Sequence, residues 1–230
     1  MKYHKLKKVL PDFRYEKSFW KRGYYVIGVD EVGRGALAGP LTVGAVCFNN
    51  IFLNSVNEIE KLGINDSKKL SAAKREILAK IIKSSALGHA TVSINPAIIN
   101  RVGIVKATQM AIRGSIKKLI NKLANSVINR QRNSNYFLLL DAFYVKYIKN
   151  IGLKNQLAIV KGDQKSISIA AASIIAKVER DHTMIKLGHK YPIYFWKNNK
   201  GYGTKKHIEA IKKFGKSKFH RDLFLRKIIS

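Results

Sequence analysis

The chain has little cysteine and no long apolar run, and both absences restrict what it can be. Cys47 is the only cysteine among 230 residues, so no disulfide can form within the chain. No run of about 18 apolar residues occurs, so no membrane-spanning helix is expected. Residues 1–8 are basic but lack the apolar stretch and the small-residue cleavage site of a secretory signal. We therefore expect a cytoplasmic protein.

Acidic residues are also scarce. The chain has 14 Asp and Glu against 44 Lys and Arg, which gives a formal net charge of +30. A field of this sign favours a polyanionic partner, because each phosphate that a protein neutralises releases condensed counterions. Part of the excess can also be compositional, since lysine is used here as a general surface residue. Charge alone therefore indicates a nucleic acid or an anionic membrane surface and does not decide between them.

Several of the few acidic residues follow the most strand-like segments of the chain. The apolar runs at residues 24–29, 136–140 and 157–160 each lead into acid, and the four acidic residues are Asp30, Glu31, Asp141 and Asp163. Carboxylates gathered at strand ends repel one another unless cations hold them, and hard divalent cations prefer oxygen ligands. This arrangement predicts a two-metal site for phosphoryl chemistry.

Each of these carboxylates has a simpler explanation when taken alone. Asp30 and Asp141 can be ordinary residues at strand ends, and Asp163 can cap the helix that follows it. Successive residues of a strand point to opposite faces, so Asp30 and Glu31 reach one site only if the chain turns at Glu31. Gly33, two residues further on, favours such a turn. The metal site is therefore predicted from the joint placement of the four carboxylates.

The order of the segments predicts one α/β domain over residues 1–230, with a mixed sheet flanked by helices. The expected strands are at residues 24–30, 41–48, 89–94, 136–140 and 157–160, and the first two form a hairpin. The expected helices are at residues 71–85, from 96, at 104–123, 166–186 and 205–214. The apolar face of the first of these helices is expected to hold Ile77, Leu78, Ile81 and Ile82. The expected parts are a basic N-terminal extension (1–20), a catalytic core (21–188) and a small helical C-terminal part (189–230).

A glycine-rich turn follows the first acidic pair. Gly33, Arg34 and Gly35 place a guanidinium fork suited to phosphate between two residues that allow close backbone approach and positive φ. Most triplets of this kind are plain turns, so this one indicates a ligand site only in combination with the carboxylates. It is not a P-loop, because no Gly-Lys-Ser or Gly-Lys-Thr follows, and the spacing of a dinucleotide fingerprint is absent.

Two further segments are polar and basic. Residues 64–70 include Lys68 and precede a helix, which Asp66 or Ser67 could simply cap. Tyr202 lies between two glycines near lysines, so its ring can lie flat against a sugar or a base while the lysines meet phosphates. Tyrosines between glycines are also common in exposed loops, so this segment alone is a weak indication.

Other catalytic chemistries lack their motifs. His207 and His220 have no cysteine or second histidine close to them in the sequence, so no zinc site is expected. A serine hydrolase would need a Gly-x-Ser-x-Gly elbow, which is absent. Metal-assisted phosphoryl chemistry remains as the best-supported class.

These pieces, in this order, resemble the ribonuclease HII family, the prokaryotic type 2 ribonucleases H, from about residue 11 to about residue 224. The most specific segment is GVDEVGRGALAGP at residues 28–40. The other segments that carry the resemblance are DSKKL at 66–70, KGD at 161–163, IAAASIIAKV at 169–178, RD at 180–181, KGYGT at 200–204 and HR at 220–221.

The resemblance implies an RNase H-like five-stranded sheet with a helical C-terminal extension, and roles for nine residues. The family's catalytic and metal-binding acids fall on Asp30, Glu31, Asp141 and Asp163. Its Gly-Arg-Gly backbone, which senses a ribose 2′-hydroxyl, falls on Gly33, Arg34 and Gly35. Its tyrosine that stacks on the sugar at an RNA–DNA junction falls on Tyr202, and Lys68 matches a position that meets the phosphate backbone.

The activity that the resemblance implies is endonucleolytic. The substrates would be RNA–DNA hybrids and duplex DNA that carries single ribonucleotides, cut on the 5′ side of the ribonucleotide with two Mg²⁺ or Mn²⁺ ions. The products would carry 5′-phosphate and 3′-hydroxyl ends. We expect a monomer that has no membrane partner.

Two alternatives remain open. One is another two-metal nuclease of the same superfamily, of the resolvase or transposase type, although the glycine and tyrosine loops that sense a ribose in the family argue against it. The other is a non-catalytic, basic RNA-binding protein. Such a protein would have no reason to keep carboxylates at three strand ends, where they oppose a polyanion.

Overall fold

The computed structural model describes residues 10–48, 59–125 and 135–229. Within these residues the strands are β1 (Tyr25–Val32), β2 (Leu41–Phe48), β3 (Gly88–Ile94), β4 (Tyr136–Asp141) and β5 (Gln156–Ile159). The helices used below are α1 (Arg14–Trp20), α2 (Ala72–Ser85), α3 (Pro96–Val102), α4 (Ile104–Ala124), α5 (Ile167–Lys190), α6 (Trp196–Asn199), α7 (Lys205–Phe214) and α8 (Asp222–Ile229). None of the helices in these ranges is both long and apolar enough to cross a lipid bilayer.

The strands form one mixed sheet in the order β3-β2-β1-β4-β5. The pairs β1–β2 and β2–β3 are antiparallel, while β1–β4 and β4–β5 are parallel. The predicted hairpin and the predicted mixed five-stranded sheet are therefore confirmed. Because β1, β4 and β5 run in the same direction, their carboxyl ends meet at one end of the sheet.

Alternate residues of β1 supply the two faces of the sheet. Val26 packs in a core covered by α2 and α5, whereas Ile27 and Val29 pack in a second core covered by α4. Gly28 and Gly44 lie where α5 crosses the sheet, and a side chain at either position would collide with the backbone of α5. This close approach carries the middle of α5 to the end of β1, where the acidic pair lies.

The predicted N-terminal extension contains structure that belongs to the core. Its residues 1–9 lie outside the described part of the chain, but Phe13 and Trp20, at the two ends of α1, are buried in the core beneath α5. Glu16 is fully buried, and its Oε1 accepts hydrogen bonds from two serine hydroxyls and one amide at the start of α5. Helix α1 therefore anchors α5, which the basic composition of the segment did not indicate.

The C-terminal part is helical, as expected, and packs on the loop between β1 and β2. Leu37 and Ala38 of that loop share a small core with Trp196, Ile211 and Leu225. The predicted helix at 205–214 is confirmed as α7. The short helix α6 and the final helix α8 were not predicted.

Three local predictions are wrong. Ile77 is 54% exposed, because the face that α2 buries is set by Leu78 and Ile82. Helix α5 continues to Lys190, four residues beyond the predicted end. Strand β5 ends before Val160, which is 64% exposed. For Ile77 and Val160 the apolar pattern is present, but the neighbouring elements decide which part of it is buried. The last turn of α5 packs on the C-terminal part, where Leu187 lies against the small core and Gly188 against α6.

Candidate active site

A cavity of about 380 Å³ lies at the end of the sheet where β1 and β4 finish. Its wall contains all nine residues that the sequence analysis selected: Asp30, Glu31, Gly33, Arg34, Gly35, Lys68, Asp141, Asp163 and Tyr202. The other wall residues are Val32, Ser67, Ser173 and Lys177. The fold therefore brings together residues that lie far apart in the sequence, from the start and the end of the catalytic core (21–188) and from the C-terminal part.

The acids occupy the carboxyl ends of neighbouring strands. Asp30 and Glu31 lie near the end of β1, and Asp141 is the last residue of β4, which runs parallel to β1. Asp163 lies in a short 3₁₀ turn after β5. The amide of Gly162 donates to Oδ1 of Asp141 at 2.8 Å, and this bond holds the turn of Asp163 against β4.

The chain does not turn at Glu31, contrary to the expectation. Strand β1 continues through Val32, and the turn follows at Gly33, which has a φ of 88°. Asp30 lies on the side of the sheet that α5 covers, where Ser173 of α5 also lines the cavity. Both carboxylates still line the cavity, because the cavity extends around the end of the strand.

Burial and nearby like charges raise the pKa values of Asp30, Glu31 and Asp163. Burial raises the pKa of Asp30 well above its ordinary value, and the charges of Glu31 and Asp141 raise it further. Burial also raises the pKa of Glu31. Burial raises the pKa of Asp163 to about 6, and the nearby charges of Asp66 and Asp141 add to the shift. A cation placed among these groups would remove the mutual repulsion and favour their ionised forms.

The donor set fits divalent metal ions. Among the described residues, no three acidic, histidine or cysteine side chains converge on one point as they stand. The four carboxylates nevertheless share one cavity, and the charge of Asp141 raises the pKa values of Asp30, Glu31 and Asp163, so rotations that bring their oxygens onto shared ions would relieve repulsion. All the donors are oxygen atoms, which suits Mg²⁺ or Mn²⁺ better than zinc.

The loop after β1 presents backbone amides to the cavity. Arg221 donates to the carbonyls of Gly33 and Arg34 from the side away from the cavity. In the described part of the chain, the amides of Arg34 and Gly35 donate no hydrogen bond. Both residues are exposed on the cavity wall. The loop therefore offers two free donors to a ligand.

Lys68 occupies a short 3₁₀ turn that three contacts hold in place. Oδ1 of Asp66 accepts from the amide of Lys68 at 2.9 Å, so Asp66 caps this short turn, whereas the helix that follows, α2, is capped by Ser71. The hydroxyls of Ser67 and Ser173 lie 2.9 Å apart, and Arg75 donates to the carbonyl of Ser67 at 2.9 Å. Neither Asp66 nor Ser67 caps the helix, and the turn that Asp66 caps carries Lys68 to the cavity wall.

Tyr202 forms the wall of the cavity on the side of the C-terminal part. Its ring centroid lies 5.2 Å from the guanidinium carbon of Arg180 and 5.9 Å from the ammonium of Lys177. Nδ1 of His207 lies 2.9 Å from the carbonyl oxygen of Tyr202. Both the ring and the backbone of Tyr202 are therefore held from inside the protein.

The two C-terminal histidines are neighbours in space, although the sequence separates them. Nε2 of His207 lies 3.2 Å from Nε2 of His220 and accepts a hydrogen bond from the indole of Trp196. Burial lowers the pKa of His207, and it lowers the pKa of His220 to about 4. The pair is therefore neutral near pH 7 and forms a buried hydrogen-bond chain behind Tyr202.

Two wall residues were missed by the sequence analysis. Ser173 and Lys177 are four residues apart on α5, so they share one face of that helix. Lys177 pairs with Asp181 at 2.8 Å. The sequence does mark these two residues, because Ser173 and Lys177 are the only polar positions of the apolar run IAAASIIAKV at 169–178. A polar pair on one face of an otherwise buried helix indicates a cavity.

Comparisons with known proteins identify the family of the chain. The sequence matches the family model described as Ribonuclease HII over residues 27–227. A ribonuclease HII from Chloroherpeton thalassium is 44% identical over 213 residues, which cover 93% of this chain and 96% of that relative. The crystal structure of the ribonuclease H2 from Pyrococcus horikoshii OT3 is similar with a TM-score of 0.67 and 24% identity, and the match covers 89% of this chain and 96% of that one. A structure of Bst-RNase HIII in complex with Mn²⁺ is similar with a TM-score of 0.70 and 20% identity, and that match covers 90% of this chain and 68% of that one.

The fold is of the RNase H-like class, and the carboxylate cavity lies at one end of its sheet. Within that class the chain belongs to the ribonuclease HII family. It is a ribonuclease H, and the resemblance that the sequence motifs suggested is confirmed. The family is divalent-metal dependent and acts on RNA–DNA substrates.

Proposed function

We propose that this chain cuts the RNA strand of RNA–DNA hybrids and cuts duplex DNA on the 5′ side of single ribonucleotides. The products would carry 5′-phosphate and 3′-hydroxyl ends. The observation that carries the proposal is the meeting, in one cavity, of four carboxylates with two free loop amides and a tyrosine ring. Such a cavity can hydrolyse a phosphodiester and also sense the sugars beside it. This activity would serve the replication and repair of DNA in the cytoplasm.

The carboxylates Asp30, Glu31, Asp141 and Asp163 would hold two Mg²⁺ or Mn²⁺ ions. Bound ions supply an activated water and stabilise the charge on the departing 3′ oxygen. The protein's own part is to fix the ligands. Adjacent strand ends set the positions of three carboxylates, and the bond from the Gly162 amide fixes the turn of the fourth.

The remaining wall residues would recognise the substrate. Lys68 and Lys177 are cations that can meet phosphates next to the cut. The free amides of Arg34 and Gly35 can bond a ribose 2′-hydroxyl, which a deoxyribose lacks. Tyr202 presents an apolar ring face to the following sugar.

The decisive experiment compares a duplex that carries one ribonucleotide with the same duplex made of DNA alone. We expect cutting that requires Mg²⁺ or Mn²⁺, occurs only in the first duplex and maps to the 5′ side of the ribonucleotide. A nuclease of the resolvase type would cut branched DNA without ribonucleotides, and a non-catalytic RNA-binding protein would cut neither duplex. Cyclic phosphate ends, or cutting on the 3′ side, would also contradict the proposal.

The affinity for hybrid duplex is expected to fall steeply with salt. Each phosphate that Lys and Arg neutralise contributes a slope of about −0.9 in a plot of log affinity against log salt concentration for a duplex. Fluorescence anisotropy with catalytically inactive protein, over a range of potassium chloride concentrations, measures this slope. A nearly flat response would mean that the charge of +30 is compositional and does not form a binding surface.

Metal binding is expected to weaken as the pH falls through about 6. The pKa of Asp163 is raised to about 6, so its carboxyl keeps a proton to a higher pH than an ordinary aspartate. Metal ions bind the ionised form, and binding must therefore displace protons in this range. Calorimetric titration with Mn²⁺, in buffers of different ionisation enthalpy, measures the protons released. Asp163→Asn should reduce that release, and an affinity that is constant across this range would contradict the expectation.

A further inference from the structure

Two arginines are buried behind the loop that follows β1. Arg180 of α5 and Arg221, which precedes α8, are both 0% exposed. Neither has a carboxylate within ion-pair distance among the described residues. A buried charge without a counterion is stable only where hydrogen bonds satisfy it. The partners of these two guanidinium groups therefore indicate what they are for.

The partners are backbone carbonyls of one loop. Arg221 donates through its three nitrogens, at distances of 2.7 to 3.1 Å, and Arg180 donates through Nε and Nη2 at 2.8 and 3.3 Å. The acceptors are the carbonyls of Gly33, Arg34, Ala38, Gly39 and Pro40. Five carbonyls of an eight-residue loop are thus held away from the cavity. This leaves the amides of Arg34 and Gly35 free on the cavity side.

Arg180 also contacts the second recognition element. Its Nη1 is buried and has no hydrogen-bond partner in the described part of the chain. The ring of Tyr202 lies 5.2 Å from its guanidinium carbon, so the ring face is the remaining acceptor for this group. On the other side, a side chain at Gly33 would collide with Arg180. One planar group therefore lies between the glycine loop and the tyrosine.

We propose that Arg180 is a positioning residue that sets the spacing between the free amides at Arg34 and Gly35 and the ring of Tyr202. The two elements would then sense the sugars on either side of one phosphate as a single rigid unit. The inference rests on the proposed function and deepens it. The enzyme's preference for a ribose followed by a deoxyribose would then depend in part on Arg180, a buried side chain outside the cavity wall.

The test is Arg180→Lys, assayed on two substrates. Lysine keeps the positive charge but has one compact ammonium, which cannot reach the loop carbonyls and the ring together. We expect cleavage of a duplex with a lone ribonucleotide to fall by about tenfold more than cleavage of a long RNA–DNA hybrid. Binding of Mn²⁺, measured by calorimetry, should be unchanged, because the carboxylates are not touched.

A double variant separates positioning from general stabilisation. The substrate ratio is the rate of cleavage of the lone-ribonucleotide duplex divided by the rate for the long RNA–DNA hybrid. Arg180→Lys combined with Tyr202→Ala should show the same substrate ratio as Tyr202→Ala alone, since no ring remains to be positioned. Arg113→Lys is the matched control, because Arg113 of α4 also donates to a backbone carbonyl, that of Lys146, but outside the cavity. This control should leave the substrate ratio unchanged.

Equal losses on both substrates in Arg180→Lys, or fully additive effects in the double variant, would overturn the inference. If Arg180→Lys does not fold, Arg180→Gln permits the same comparison, because glutamine keeps a donor group on a similar stem. The proposed function is tested separately by the wild-type protein. If the wild type does not cut the ribonucleotide duplex, the proposed function is contradicted. If the wild type cuts it and the Arg180 variants keep the wild-type substrate ratio, only the role of Arg180 is contradicted.

Discussion

Asp30→Asn, Glu31→Gln and Asp141→Asn are each expected to reduce cleavage by several orders of magnitude while the protein stays folded. Each change removes one charged oxygen ligand at nearly constant volume, so metal-assisted chemistry is lost without a cavity in the core. Single-turnover cleavage of the ribonucleotide duplex at saturating Mn²⁺ measures the loss. Turnover near that of the wild type in any of these variants would remove that residue from the catalytic set.

The same variants should keep or gain stability when metal is absent. Burial and like charges raise the folded-state pKa of Asp30, so its ionised form opposes folding once the pH rises through that pKa. Each unit of such a shift corresponds to about 1.4 kcal/mol. Urea unfolding in the presence of a chelator should therefore show that Asp30→Asn gains stability over the wild type as the pH rises. Glu179→Gln, at an exposed position of α5, is the matched control and should change neither activity nor this pH dependence.

The acidic site could be predicted because its signals are local. Each carboxylate follows a short apolar run, and parallel strands bring their carboxyl ends together. The sequence also predicted the two loops that complete the cavity wall, since glycines beside Arg34 and Tyr202 make those segments unusual. What it could not supply was the position of the turn after Asp30, because strand pairing with β2 carries β1 on to Val32.

The support behind the site could not be predicted, because it depends on burial of charged and polar groups far apart in the chain. Arg180, Arg221 and Glu16 belong to residue types that are normally exposed, and only the fold shows the backbone and hydroxyl groups to which they hydrogen-bond. The contact between His207 and His220 likewise arises from the packing of α7 against the segment before α8. In this protein the residues of the cavity wall belong to short local motifs, whereas the groups that hold the wall in place come from distant parts of the sequence.

Tyr202→Ala is expected to impair cleavage at a lone ribonucleotide in DNA much more than cleavage of a long RNA–DNA hybrid. The ring of Tyr202 is expected to stack on the deoxyribose that follows the ribonucleotide. A deoxyribose presents an apolar 2′ carbon to the ring, whereas a ribose brings a hydroxyl that must lose its water there. Loss of the ring therefore removes a favourable contact only at the RNA–DNA junction. Cleavage rates on the two substrates, compared at equal occupancy, measure the effect.

Tyr202→Phe provides the control for this role. In the described part of the chain the hydroxyl of Tyr202 makes no hydrogen bond, while the ring rests on Arg180 and Lys177. We therefore expect Tyr202→Phe to act almost as the wild type, because the stacking face is retained. A fall toward the activity of Tyr202→Ala would instead show that the hydroxyl bonds the substrate. Equal losses on both substrates in Tyr202→Ala would refute the junction-sensing role and leave this tyrosine as part of the support for the loop.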